Sequence, residues 1–363
     1  MQLTKHWATQ LDDYAIDLAW SPDGAQLAAA SSAGPVSLFA SADGKKLHEL
    51  PGHTNGTNCL AWQPSASTSG SQPSPLNSQL HLATGGQDGA VKFWDATAGQ
   101  HTATAPLGPT WVEHLAWVPA STSRSESGSP RSALNAQLLF ASAGRKLVAL
   151  RADGSVAHTF PLAAKSISAL AAQPAGGCVA ASHFGGVQLW DADDFVLQKE
   201  FPYANSIHAL VWSPDNRWLV SGNQDPSVHL WIPETDVELH MSGYPKKVRE
   251  LSWDFAGRVL ATGGGEVPCL WDCSGAGPEG RTPKMLQGHA GSVTAVQWQR
   301  RGFLIATSDD AGRVCVWQPA NTRPLLGAAN FAEDEISCLA WSPDDSLLAV
   351  GSGKGAIALF RVT

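Results

Sequence analysis

Tyrosine and methionine are scarce in this sequence, three of each among 363 residues, and only 15 % of the side chains are charged. So little charge excludes a solvated, disordered polymer, while a hydrophobic share of 43 % can supply a core. Long apolar runs are missing: Asp, Gly, Ser or Pro interrupts every one within about ten residues, short of the ~20 that span a bilayer. The opening residues, Met-Gln-Leu-Thr-Lys-His-Trp-Ala-Thr-Gln, lack the apolar centre of a secretion signal, so a cytoplasmic protein without membrane partners is expected. Six cysteines, at 59, 178, 269, 273, 315 and 338, are scattered without disulfide-framework spacing and read as reduced, buried thiols. A net charge of −8 argues against a nucleic-acid-coating surface. Catalytic signatures are missing too. There is no Gly-Xaa-Ser-Xaa-Gly, no phosphate-cradling Gly-Xaa4-Gly-Lys-Ser/Thr and no His-Glu-Xaa2-His, and Gly263-Gly264-Gly265 precedes no helix that could bind phosphate. The expectation is a chain that is not an enzyme and carries no cofactor.

Tryptophan, by contrast, is abundant, with fifteen copies. A pattern of Leu or Val, a small residue and Trp recurs along the chain, ending at Trp20, Trp62, Trp117, Ala172 (in place of Trp), Trp212, Trp253, Trp298 and Trp341. The spacings are 42, 55, 55, 40, 41, 45 and 43 residues. Each copy is followed by an apolar run, a polar turn and an alternating run, which ends in Phe93-Trp94, Leu189-Trp190, Leu230-Trp231, Leu270-Trp271, Val316-Trp317 or a similar pair. Alternation with period two over five to seven residues, bounded by Gly, Asp, Ser and Pro, predicts short antiparallel strands.

These copies resemble the WD40-repeat family, whose repeats are four-stranded blades of a β-propeller. The second copy keeps Gly52-His53, Thr84, Asp88 and Trp94-Asp95, and the seventh keeps Gly288-His289, Thr307, Asp309-Asp310 and Trp317. The resemblance implies that His, Thr, Asp and Trp form a hydrogen-bonded chain within a blade: His53, Thr84, Asp88 and Trp94 in one, His289, Thr307, Asp310 and Trp317 in the other. Eight copies imply an all-β, single-domain propeller of eight blades over residues 1–363. The alternative is seven, with the degenerate fourth copy reduced to a connection. Because the last pattern ends at Phe360, the segment Leu3–Thr9 is expected to supply the missing outer strand of the eighth blade and close the ring. Ser-rich insertions at about 65–78 and 120–135 account for the two long spacings and are expected to be flexible surface loops.

For function, the resemblance implies a non-catalytic scaffold, a monomer, with a protein or peptide partner. The family's usual binding face is formed by the loops entering each inner strand and by the turns between second and third strands. All three tyrosines (Tyr14, Tyr203, Tyr244) and Trp111 are expected in those entering loops, with Phe184 in a turn and Lys246 and Lys247 nearby. Aromatics and basic residues are what interface centres favour. On this reading Tyr203→Ala or Tyr244→Ala weakens partner binding without loss of stability. The alternative function is a ligand- or metal-binding propeller using the central channel. Three positions before the closing Trp stand Asp17, Cys59, His114 and Cys338, on four successive blades around the closure, an arrangement that could bind zinc if they converged.

Overall fold

The computed structural model describes residues 3–65, 80–118 and 137–362. Apart from Ser65, the two Ser-rich insertions lie outside the described residues. The chain forms eight four-stranded antiparallel sheets, each built from consecutive strands except the last. The fourth copy, with Ala172 in place of Trp, is a full blade of Ile167–Ala172, Cys178–His183, Gly185–Asp191 and Leu197–Tyr203, so the seven-bladed alternative is set aside. In the eighth sheet, Leu3–Gln10 pairs antiparallel with Ala356–Val362, from Leu3 against Val362 to Gln10 against Ala356. The N-terminal strand therefore closes the ring.

Apolar packing is divided among the seams between blades. Among the described residues there are eight separate buried clusters, and each joins strands of one blade to those of the next. Second strands are buried on both faces, which is why they read as unbroken runs of small and apolar residues: Ala28, Ala29 and Ala30 are all fully covered. Outer strands such as Lys46–Leu50 are largely exposed. At the closure, Trp7 packs on Phe39 with ring centroids 5.9 Å apart and donates its indole N–H to the Ser41 carbonyl at 2.9 Å.

The inner-strand tryptophans also stitch the ring. Trp20, Trp62, Trp117, Trp212 and Trp341 donate their indole N–H groups to carbonyls of the preceding blade (Ala340, Ala19, Ala61, Ala171 and Gln297) at 2.9–3.2 Å. Trp253 and Trp298 bury the same group without an acceptor. They flank the sixth blade, whose strands Leu251–Trp253, Val259–Thr262, Cys269–Asp272 and Lys284–Met285 are short. That blade is the least regular sector of the disc.

Candidate functional site

Within the second blade, the Trp94 indole N–H donates to Thr84 Oγ1 at 3.0 Å, His53 Nε2 lies 2.8 Å from the same hydroxyl, and His53 Nδ1 lies 2.7 Å from Asp88. Trp can only donate and a carboxylate only accept, so the chain closes one way: His53 carries its proton on Nδ1 and accepts the Thr84 hydroxyl proton at Nε2. Burial holds the His53 pKa below its usual value despite Asp88, which keeps the ring neutral. For Asp88, burial raises the carboxyl pKa, but His53 and Lys92 more than offset it and the net shift is downward.

The seventh blade repeats this chain through His289, Thr307 and Trp317, with a different acid. Asp309, not Asp310, accepts from His289 Nδ1 at 3.0 Å, and Asp310 instead accepts the Ser292 backbone N–H at 2.8 Å. Ala311 occupies the position equivalent to Asp88. Asp309, at the strand end where the second blade has Gly86, fills the role from the other side of the turn.

Tyr203 and Tyr244 stand at the same position as those histidines, nine residues before the closing Trp. The Tyr203 hydroxyl bonds Asp225, the turn aspartate of the fifth blade, and Ser227. Burial first, then Asp225, pushes its pKa up to about 12. The Thr262 hydroxyl donates to Tyr244 Oη at 3.2 Å, and Tyr244 is only 9 % exposed. Both tyrosines therefore brace blades. Tyr203 is moreover the last residue of an outer strand rather than part of a loop. Tyr244→Ala is now expected to lower stability, contrary to the expectation from sequence. Counting nine residues back from each closing Trp would have exposed the substitution.

The channel mouth gathers a different subset. A cavity of about 460 Å³ spans blades six, seven, eight and one, and its lining includes Tyr14, Lys246, Lys247, Arg249, Glu250, Ser292, Glu335 and Ser337. The Lys246 ammonium bonds the Ser292 hydroxyl. Burial raises the Glu250 pKa, partly offset by the backbone N–H groups of Arg249 and Gly264. Tyr14 is raised by burial and by the charge of Glu335. Tyr244 lines a second, mostly apolar cavity of about 580 Å³ beside blade six, together with Val267, Cys269, Trp271 and Met285. Trp111 and Phe184 are half-exposed, on blades three and four, and line neither cavity. Ser292, Thr294 and Ser337 carried no signal in the sequence beyond their place at the start of an inner strand.

The four candidate zinc ligands do not converge. Three of them are held at the seam with the following blade: Asp17 accepts the Leu60 N–H at 2.9 Å, Cys59 lies on the Val112 carbonyl at 3.8 Å and Cys338 on the Ala15 carbonyl at 3.9 Å. No group of three or more His, Cys, Asp or Glu among the described residues is arranged to hold a metal ion. Burial raises the Asp17 pKa to about 6 and lowers that of His114 to about 4.

Eight antiparallel blades closed by the two ends of the described chain define a β-propeller. The signature chains of blades two and seven, together with the family models, show which kind: the chain belongs to the WD40-repeat family. The model for the WD domain, G-beta repeat, matches residues 44–95, 196–231, 280–318 and 328–361. That for the anaphase-promoting complex subunit 4 WD40 domain matches residues 3–65. Among relatives, the protein transport protein sec13 of Aspergillus fumigatus is 34 % identical over 118 residues, covering 30 % of this chain and 38 % of that protein. The WD repeat-containing protein srw1 of Schizosaccharomyces pombe is 26 % identical over 175 residues, 46 % of this chain and 30 % of that protein. Telomerase protein component 1 of Rattus norvegicus is 24 % identical over 264 residues, 71 % of this chain but 9 % of that protein. The chain thus spans well under half the length of each of these relatives. The computationally designed Ika8 protein shares the fold, with a TM-score of 0.78 at 16 % identity over 99 % of this chain and all of that one.

Proposed function

We propose that this propeller is a non-catalytic scaffold that binds a protein or peptide segment at its channel mouth. The observation that carries the reading is the cavity in which Tyr14, Lys246, Lys247 and Arg249 meet Glu335. An aromatic ring beside basic and acidic groups suits a peptide carrying an acidic residue toward blade six, because complementary charge orients a partner and speeds its encounter. Tyr14 replaces Tyr203 and Tyr244 as the aromatic of the site, since those two are occupied in bracing blades.

A photo-crosslinking residue placed at position 294, on the lining of the same cavity, tests this in the native source. The expected result is one dominant crosslinked partner, lost in the Lys246→Glu/Lys247→Glu double variant and weakened by Tyr14→Ala, with an unchanged melting temperature in both. Capture of the same partner by the double variant at wild-type yield refutes the site.

A further inference from the structure

We infer that the opposite face carries a second docking site, built on Phe255 and Phe303, that takes an acidic peptide segment with an apolar anchor residue. This goes beyond the channel mouth, because the turns between inner and second strands lie at the other end of the blades. In blades one, five and eight that turn reads Ser-Pro-Asp, at Ser21, Ser213 and Ser342. Blade six has Asp254-Phe255-Ala256-Gly257-Arg258 there and blade seven has Gln299-Arg300-Arg301-Gly302-Phe303.

The two rings meet edge to face with centroids 5.4 Å apart, yet Phe255 is 41 % and Phe303 67 % exposed. Adjacent exposed aromatics on one small patch are what interface centres are made of. The turns that hold them are tightly braced. Asp345 of blade eight accepts the backbone N–H groups of Arg300, Arg301 and Gly302 at 2.7–2.9 Å, and Gln299 accepts that of Leu304 at 3.1 Å. Asp254 likewise accepts from Arg258 and Val259 at 2.7 and 2.8 Å. A patch already held in place loses little freedom on binding.

Charge identifies the occupant. Arg258, Arg300 and Arg301 are exposed on these two turns, while the carboxylates of Asp254 and Asp345 are turned inward onto backbone N–H groups. Around the aromatic centre these two turns therefore present three guanidinium groups, in a chain whose net charge is −8; Asp215 of blade five lies beside Gly257 but accepts from the Ser213 hydroxyl and the Arg217 N–H. Acidic residues flanking an apolar one complement this patch.

The test uses the full chain and fluorescein-labelled heptapeptide pools read by fluorescence anisotropy. One pool has Phe at the centre and Asp or Glu at the flanks, a second has Ser at the centre, and a third has Lys or Arg at the flanks. The acidic Phe pool is expected to bind at least about tenfold tighter than either control, and more weakly as ionic strength rises. Phe303→Ser and Arg301→Glu should each cost about tenfold with no change in melting temperature, while Lys246→Glu/Lys247→Glu leaves binding intact. That last variant separates failure of this site from failure at the channel mouth. The proposal is overturned if no pool binds, if the Ser-centred or basic pool binds equally, or if Phe303→Ser binds as wild type. It is also overturned if sedimentation shows a dimer that Phe303→Ser dissociates, which would make the patch a contact between copies.

Discussion

Replacing Thr84 with Val removes one hydroxyl and almost no volume, and it strands two buried groups. Thr84 is fully buried, accepts the Trp94 indole N–H at 3.0 Å and bonds His53 Nε2 at 2.8 Å. A buried polar group left unpaired costs about 1–3 kcal/mol, so the pair costs about 2–6 kcal/mol. For a chain of this length, if the ring melts as a unit, unfolding entropy converts each kcal/mol to roughly 1.3 °C, so Thr84→Val should lower the melting temperature by about 3–8 °C. The control lies at the equivalent position of the fifth blade, two residues beyond the strand partner of the blade's second Trp. There Ser221 is fully buried and its hydroxyl has no partner, because Tyr203 reaches past it to Asp225 and Ser227. Removing an unpaired buried hydroxyl relieves a desolvation penalty, so Ser221→Ala should be neutral or stabilising by about 1 kcal/mol. Thermal scans of both variants, with hydrogen exchange at the amides of 92–94 to detect local opening, measure the contrast. If Ser221→Ala loses as much as Thr84→Val, the hydrogen-bonded chain is not what holds the second blade and the reasoning fails.

The buried titratable groups and the sixth blade set two further outcomes. Asp17 in the fold has a pKa raised to about 6, so its ionisation disfavours the fold as pH climbs from about 4 to 6, while His114, lowered to about 4, disfavours it as pH falls from about 6.5 to 4. The two slopes oppose each other. Relative to wild type, Asp17→Asn should make melting temperature rise more steeply with pH across this window, and a His114→Gln variant should make it rise less. Both residues keep some exposed surface, so water there reduces the effect below the roughly 3 kcal/mol of a two-unit shift; identical pH profiles for all three proteins would refute it. Hydrogen exchange should be fastest, among inner and second strands, at Leu251–Trp253 and Val259–Thr262, where the strands are short and the Trp253 and Trp298 N–H groups lack their inter-blade acceptors. Protection there equal to that of Thr57–Trp62 and His81–Gly86 would refute the claim that this sector opens first.

The repeat was legible because it is local chemistry. Leu18-Ala19-Trp20 and the six counterparts that keep Trp place an apolar side chain in a seam and a ring at the preceding blade, and period-two alternation carries that information within six residues. Blade number followed by counting, and closure by Leu3–Gln10 followed because the eighth copy had no outer strand of its own. The sites were less legible. Tyr203 and Tyr244 looked like loop aromatics free for a partner, yet they stand where blades two and seven place His, and only the packed blade shows their hydroxyls already bonded. Asp309 and Asp310 are adjacent, and which one reaches His289 depends on the path of the turn rather than on composition. Asp17, Cys59, His114 and Cys338 share a register, but Asp17, Cys59 and Cys338 are each held at a different seam.

Sequence alone therefore determined the eight-bladed ring and its framework of tryptophans, since strand periodicity and repeat length need no knowledge of distant neighbours. The tertiary structure alone decided which polar side chains were already partnered, that Tyr14 joins Lys246 and Lys247 at the channel mouth, and that Phe255 and Phe303 meet. Those facts depend on contacts between blades some forty residues apart, where an ångström of turn geometry separates a brace from a binding surface.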